Sequence, residues 1–283
     1  MRSFGLRSAA AAIVLLAGAA AHAGPFILAG TDADDHGFAS AGANQDGWFF
    51  MQRAIENLAA ASTLTTTNRV VVALGSSSTA LQAAQSAFNL SSLAGAGGWT
   101  FLSVPDLTDA TVLNTALAGA GIIMLDSGGN VGGGLLDAEE GVLTAGAAAI
   151  NSFVGGGGGL FSQANSYGFL SALVPGLNRV EFSNTGLTLT PAGNAAFPGL
   201  TNADLGAGPW HNYFTNVGTI PVLATGLSGA TSVNVIIGAS GGSITNPDPP
   251  VGAIPEPETY AMMALGLAGI GYVARRRKAK RLA

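Results

Sequence analysis

The sequence predicts an α/β domain of three layers, with a mostly parallel sheet covered by helices on both faces. Two observations lead there. Short, continuously apolar runs such as "RVVVAL" and "GIIMLD" read as strands buried on both sides. Between them lie segments whose apolar residues recur at helical spacing. A third observation, the absence of any repeat of solenoid period, leaves residues 24–242 as one domain.

The elements follow in chain order. Phe26–Gly30 reads as the first strand. Asp46 is placed to cap the next helix, in which Trp48, Met51, Ile55 and Leu58 share a face. Arg69–Leu74 is a strand. Ser78–Leu90 is a helix presenting Leu81, Ala84 and Phe88. Trp99–Val104 is a strand, and Asp106–Leu117 a helix that Asp106 would cap. Gly121–Asp126 is a strand. Asp137–Val154 reads as one long helix opening on acids that suit its N-terminal dipole. The five glycines Gly155–Gly159 end it and lead into a strand over Leu160–Ala164. Later strands are expected at Arg179–Phe182, Pro221–Thr225 and Val233–Gly238.

Composition excludes several chemistries. The 283 residues contain no Cys, so there is no disulfide, thiolate nucleophile or Cys-ligated metal. The only lysines, Lys278 and Lys280, stand near the end, which leaves the body no P-loop or Schiff-base lysine. Only His36 and His211 remain once His22 is assigned to the leader. Charged residues are 10% of the chain, against about 25% in ordinary soluble domains. All 16 acids fall between Asp32 and Glu258, whereas Arg53, Arg69 and Arg179 are the only basic residues of the body. An acidic body without a basic groove argues against nucleic-acid binding.

Both ends read as addresses. Arg2 and Arg7, the apolar run Ala9–Ala20 and the small-x-small pattern Ala21-His22-Ala23 form a secretory signal peptide over 1–23. Signal peptidase would cut between Ala23 and Gly24. At the other end a Pro-rich linker, 243–254, precedes Pro255-Glu256-Pro257. An apolar segment, Thr259–Ala274, and the basic cluster opened by Arg275, Arg276 and Arg277 complete it. The apolar segment is slightly shorter than the roughly 20 residues that span a bilayer. The basic cluster would hold its end in the cytoplasm, with everything upstream outside.

Those residues, 255–283, resemble the PEP-CTERM sorting signal of Gram-negative bacteria in their tripartite order. The resemblance implies recognition by an exosortase-type transpeptidase, cleavage near the PEP motif and export. It implies a precursor anchored in the inner membrane by the C-terminal helix, then a cell-surface or extracellular location. The family occurs with exopolysaccharide production and biofilm formation. A second resemblance lies in the body. "AGIIMLDSGGN", a helix and then "INSFVGGGGGLFSQANSYGF" are similar to the class I glutamine amidotransferase-like fold, including its ThuA-like branch. That implies an amidotransferase-like or flavodoxin-like layout, with a nucleophile elbow after the glycine-rich stretch. The amidotransferases place Cys there. Here the positions are Gln163, Ala164, Asn165 and Ser166, so the scaffold is implied without that reaction.

The remaining candidates are few. "GTDADDHGF" follows the first strand, where parallel sheets bind ligands. Asp32, Asp34, Asp35 and His36 would suit a hard cation such as Ca²⁺, although the spacing is not that of an EF-hand and a solvated acidic loop reads as well. "GPWHNYF" carries His211 between aromatics, read as a loop. The resemblance implies a catalytic His late in the chain. "GASGG" sets Ser240 in a G-x-S-x-G pattern but lacks the helix that motif needs. "GSSST" would suit either an anion or a plain helix cap. Two readings of function follow. The favoured one is a secreted, non-catalytic surface protein without a required cofactor, its partner an extracellular polysaccharide or another surface protein. The competing one is an extracellular hydrolase or lyase using Ser166, or the Asp32–His36 loop, with His211. Contact between His211 and those groups discriminates them.

Overall fold

The computed structural model describes residues 25–64, 68–128, 132–163 and 168–238. The signal peptide and its cleavage site, Ser166, Ser240, the linker, the PEP motif and the apolar and basic segments of the tail lie outside the described residues.

Four parallel pairings build one half of the sheet. The strands are β1 (Phe26–Ala29), β4 (Val70–Leu74), β5 (Thr100–Val104), β6 (Ile122–Leu125) and β7 (Gly159–Ser162), in the order β5-β4-β6-β7-β1. Every residue of β1, β6 and β7 is buried, as apolar runs covered on both faces require. Their side chains alternate between two cores. Ile27, Ala29, Val71, Ala73, Ile122, Met124 and Phe161 pack on one face, beneath α1 (Asp46–Ala61) and α2 (Ser78–Asn89). Phe26, Leu28, Val72, Leu74, Ile123, Leu125 and Leu160 pack on the other. There they meet α3 (Ala110–Gly119), α4 (Asp137–Ala145) and α5 (Ala147–Gly155).

The expected, largely parallel central sheet is present, and the last third of the chain adds antiparallel strands to it. β8 (Asn178–Thr185), β10 (Pro209–Thr215), β11 (Val222–Ser228) and β12 (Thr231–Gly238) join antiparallel, with β12 against β1 and the two-residue β9 (Thr188–Leu189) against β11. Their connections carry no crossover helix of the length a parallel return needs. β11 and β12 form a hairpin across Gly229 and Ala230, and β10 alternates buried and partly exposed residues. The short helices α6 (Leu170–Leu173), α7 (Pro191–Ala196) and α8 (Asn202–Leu205) fill the gaps between these strands. A separate hairpin, β2 (Gly37–Ser40) and β3 (Ala43–Gln45), turns at Ala41 and Gly42, both at positive φ.

Other local expectations change too. Asp46 does not cap α1: it is the first helical residue, at φ 54°, and the preceding Gln45 makes no side-chain cap. α3 starts later than expected. Its cap is Asp109, not Asp106, and the Asp109 carboxylate accepts from the N–H groups of Thr111 (2.7 Å) and Val112 (3.1 Å). Those two backbone donors hold the Asp109 carboxyl below its ordinary value. The long helix after residue 136 breaks in two at Gly146, where Leu113 fills the space a Cβ would need. Within the glycine run Gly157 takes φ 97°, a conformation L side chains avoid, and its carbonyl receives Ser62 Oγ (2.6 Å) and the N–H of Thr63 (3.1 Å) at the end of α1. The run therefore both ends α5 and joins it to α1.

Candidate functional site

The carboxyl ends of β1, β4, β6 and β7 deliver the polar side chains that the strands themselves lack. Thr31–His36 follows β1, Ser76 follows β4, Asp126 and Ser127 follow β6, and Gln163 follows β7. In a parallel sheet this edge is where neighbouring loops diverge and a ligand can enter. Thr31, Asp32, Asp34, Ser76, Asp126, Ser127 and Gln163 are all buried there.

The loop after β1 is held from several sides. Gln163 Oε1 accepts from Thr31 Oγ1 (2.8 Å) and from the Ala33 N–H (3.0 Å), so it grips the residues on both sides of Asp32. Trp48 Nε1 donates to the Asp34 carbonyl (2.9 Å); Trp48 is half-buried and serves the loop as much as the core. The Gly47 N–H donates to the His36 carbonyl (2.8 Å). Gly47 and Gly208 leave room for this loop: a Cβ on Gly47 would press on the backbone of Ala33 and His36, and one on Gly208 on the His36 ring.

His211 stands on strand β10 rather than in a loop. Its N–H and that of Asn212 donate to the Gly30 carbonyl at 2.7 and 3.2 Å, which docks β10 at the end of β1. The alternation of β10 buries Trp210 and Asn212 and leaves His211 partly exposed. Arg179 donates to the Asn212 carboxamide. As a result His211 Nε2 lies 3.1 Å from Asp32 Oδ2, and His36 Nε2 lies 3.2 Å from the same oxygen. Each ring that donates its Nε2–H to this carboxylate keeps Nδ1 as the nitrogen with the lone pair. One carboxylate thus orients two imidazoles, the arrangement that general acid–base chemistry uses.

The other two acids of the loop go elsewhere. Asp34 is fully buried and accepts from Ser127 Oγ at 2.9 and 3.1 Å to its two oxygens. Asp126, also fully buried, accepts from Ser76 Oγ. Burial, then the Asp34 charge, push the Asp126 carboxyl well above its ordinary value, against the Ser76 hydrogen bond. Asp35 lies against Gly132, where a Cβ would strike its carboxylate. Burial and the Asp32 charge raise the Asp35 carboxyl, and His36 pulls the other way. Among the described residues, no three of His, Asp and Glu stand so that one metal ion could be held by all of them.

The "GSSST" stretch is occupied by the protein itself. Ser77 Oγ and N–H both donate to the Gly133 carbonyl (2.9 and 2.8 Å), and the Ala80 N–H to that of Gly132 (2.9 Å). Glu139, at the start of α4, accepts from the N–H groups of Leu107 (2.9 Å) and Leu136 (2.8 Å). A small recess of about 10 Å³, the size of roughly one water molecule, is lined by Asp32, His36, Gly47, Asp204 and Gly208 among others, and His211 is not part of its lining.

The structure therefore unites Asp32, His36 and His211, and sends Asp34 and Asp35 to other neighbours. Sequence reading missed Asp126, Ser127 and the gripping role of Gln163, and met Ser76 only within "GSSST". A usable signal existed: each lies within two residues of the carboxyl end of a buried strand, the place where such sheets carry their sites.

Comparison with known families finds one match, the PEP-CTERM protein-sorting motif over residues 253–278. No curated protein and no solved structure matches the chain. The sorting motif stands as expected, whereas the amidotransferase-like resemblance of the body is not confirmed. Among the described residues no helix is long and apolar enough to cross a membrane.

Proposed function

We propose that the chain, which carries the sorting motif of an exosortase substrate and is exported by that route, bears a body that works as an extracellular hydrolase or lyase. His211 is the proton-transfer group, Asp32 orients it, and His36 is a second imidazole on the same carboxylate. The observation that carries this reading is the 3.1 Å contact between His211 Nε2 and Asp32 Oδ2, made across 179 residues of sequence. A structural hydrogen bond has no need of a second imidazole on the same oxygen, with both rings partly exposed. The nucleophile in this reading is water.

The expected result is turnover of a neutral ester or glycoside by the native chain, with His211→Ala and Asp32→Asn each losing about 10²–10⁴-fold in kcat at unchanged melting temperature. Full turnover in His211→Ala sinks the reading. A second reading, a non-catalytic binding protein for an extracellular polysaccharide, is supported by the sorting motif and by a chain of which only 10% is charged.

For sorting, the proposed boundaries are a signal peptide at 1–23, a body at 24–242, a linker at 243–254 and a sorting segment at 255–283. The precursor is held in the inner membrane by the C-terminal helix, and the product reaches the cell surface or the extracellular, biofilm-associated matrix. Intact mass of the protein from cells and medium is expected to show cleavage after Ala23 and near Pro255-Glu256-Pro257. A mature form that retains its tail in the membrane fraction would contradict the processing.

A further inference from the structure

β5 stands at one end of the sheet and, among the described residues, pairs only with β4. The Thr100 N–H donates to the Arg69 carbonyl (2.9 Å), and the Val104 carbonyl accepts from the Gly75 N–H (2.8 Å). Backbone groups alternate in direction along a strand. Thr100, Leu102 and Val104 therefore turn theirs toward β4, and Phe101 and Ser103 turn theirs to the open side. No residue of β5 is fully buried, in contrast to β1, β6 and β7, and Leu102 is 50% exposed.

Open edges invite further strands, and proteins blunt them with charge, proline or a bulge. The strand at the other end of the order, β8, carries Arg179 and Glu181. β5 has none of these devices. It reads Thr100-Phe101-Leu102-Ser103-Val104, its register with β4 is unbroken, and no charged residue occurs between Arg69 and Asp106. The charges just outside it select the occupant. Arg69 lies at its amino end: the guanidinium Nη1 is 3.4 Å from the place a Cβ on Gly98 would take. Asp106 and Asp109 follow its carboxyl end. A second copy laid antiparallel sets each basic end against an acidic end, whereas a parallel one sets like against like.

We infer that the β5 edge is a self-association surface, on which a second copy of this chain pairs antiparallel about a two-fold axis at Leu102. In this register the outward-turned Phe101 lies opposite Ser103 of the second copy, and the two exchange both backbone hydrogen bonds. Leu102 meets its own counterpart in the close, non-hydrogen-bonded position, which covers its exposed side chain. Asp106 comes opposite Gly98 of the second copy, beside that copy's Arg69. The surface lies away from the Asp32–His211 contact, because β4, β6 and β7 stand between β5 and β1. The inference is therefore independent of the acid–base reading.

The test combines sedimentation equilibrium of the full chain, in a density-matched detergent, with single-cysteine cross-linking. The chain has no cysteine of its own, so each introduced thiol reports one position. The native chain is expected to be a dimer at micromolar concentration. Leu102→Lys, at an exposed position, is expected to keep its melting temperature and weaken the dimer at least about tenfold. Under mild oxidation Leu102→Cys is expected to give a disulfide-linked dimer. Facing residues of a non-hydrogen-bonded pair stand about 4.5 Å apart between Cα atoms, within disulfide reach. Thr100→Cys is expected to stay uncoupled, its counterpart lying four residues, roughly 13 Å, along the paired strand. A monomeric native chain overturns the inference. So does a Leu102→Lys dimer of unchanged strength, which association through the apolar tail would give. Equal cross-linking of the two cysteine variants overturns it as well. The native mass and the cysteine pair decide the matter even where Leu102→Lys fails to fold.

Discussion

Asp126→Asn makes the body more stable at neutral pH and removes a loss of stability toward higher pH. Asp126 is fully buried at the end of β6, close enough to the buried Asp34 for its charge to count. Its folded-state value lies well above the ordinary one, with burial the largest cause. The sign follows from linkage. The protonated carboxyl is the form the fold prefers, so the associated stability is complete below the unfolded value of about 3.9. It is lost as pH rises from there through the raised folded value, at about 1.4 kcal/mol per pH unit. Asparagine has the same shape, keeps an acceptor for Ser76 Oγ and carries no charge to bury. Urea unfolding from pH 4 to pH 8 checks this. The native chain should weaken with pH over part of that window and the variant should not; parallel curves for the two chains would show that Asp126 does not titrate as argued.

Phe50→Ala costs about 3–5 kcal/mol of stability, the usual range for emptying a buried phenylalanine site. Phe50 has no exposed surface. It meets Phe161 of β7 edge to face at 5.6 Å between centroids, and Phe197, after α7, at 5.3 Å. The ring is thus the junction of α1, the parallel half of the sheet and the C-terminal third. Phe50→Leu, which keeps most of the volume, should cost clearly less. Equal losses in the two variants, measured as a shifted urea midpoint at constant slope, would mean that the aromatic junction is not what holds these parts together.

The contrast between strands that were legible and strands that were not has a simple cause. β4, β6 and β7 are covered on both faces, so their sequences are unbroken apolar runs that no other element imitates at that length. β10 is half-buried and carries Trp210, Asn212 and Phe214 inward between Pro209, His211 and Tyr213. That mixture of Pro, His, Asn and aromatics reads as a loop, and only its antiparallel pairing with β8 and β12 makes it a strand. The break at Gly146 is similar. Helical periodicity runs through it, and the space taken by Leu113 from α3 decides where the helix divides.

By itself the sequence determined the composition-driven exclusions, the sorting motif at 253–278 and the parallel half of the sheet. Each of these is written in local, contiguous residues. Tertiary structure alone decided that His211 meets Asp32, that Gln163 grips the residues on both sides of Asp32, and that Asp34 turns away to Ser127. Those contacts join residues 93–179 positions apart. No local propensity encodes them. They exist because β1, β6 and β7 end at the same edge and β10 returns antiparallel beside them, a pairing set by burial of the whole sheet.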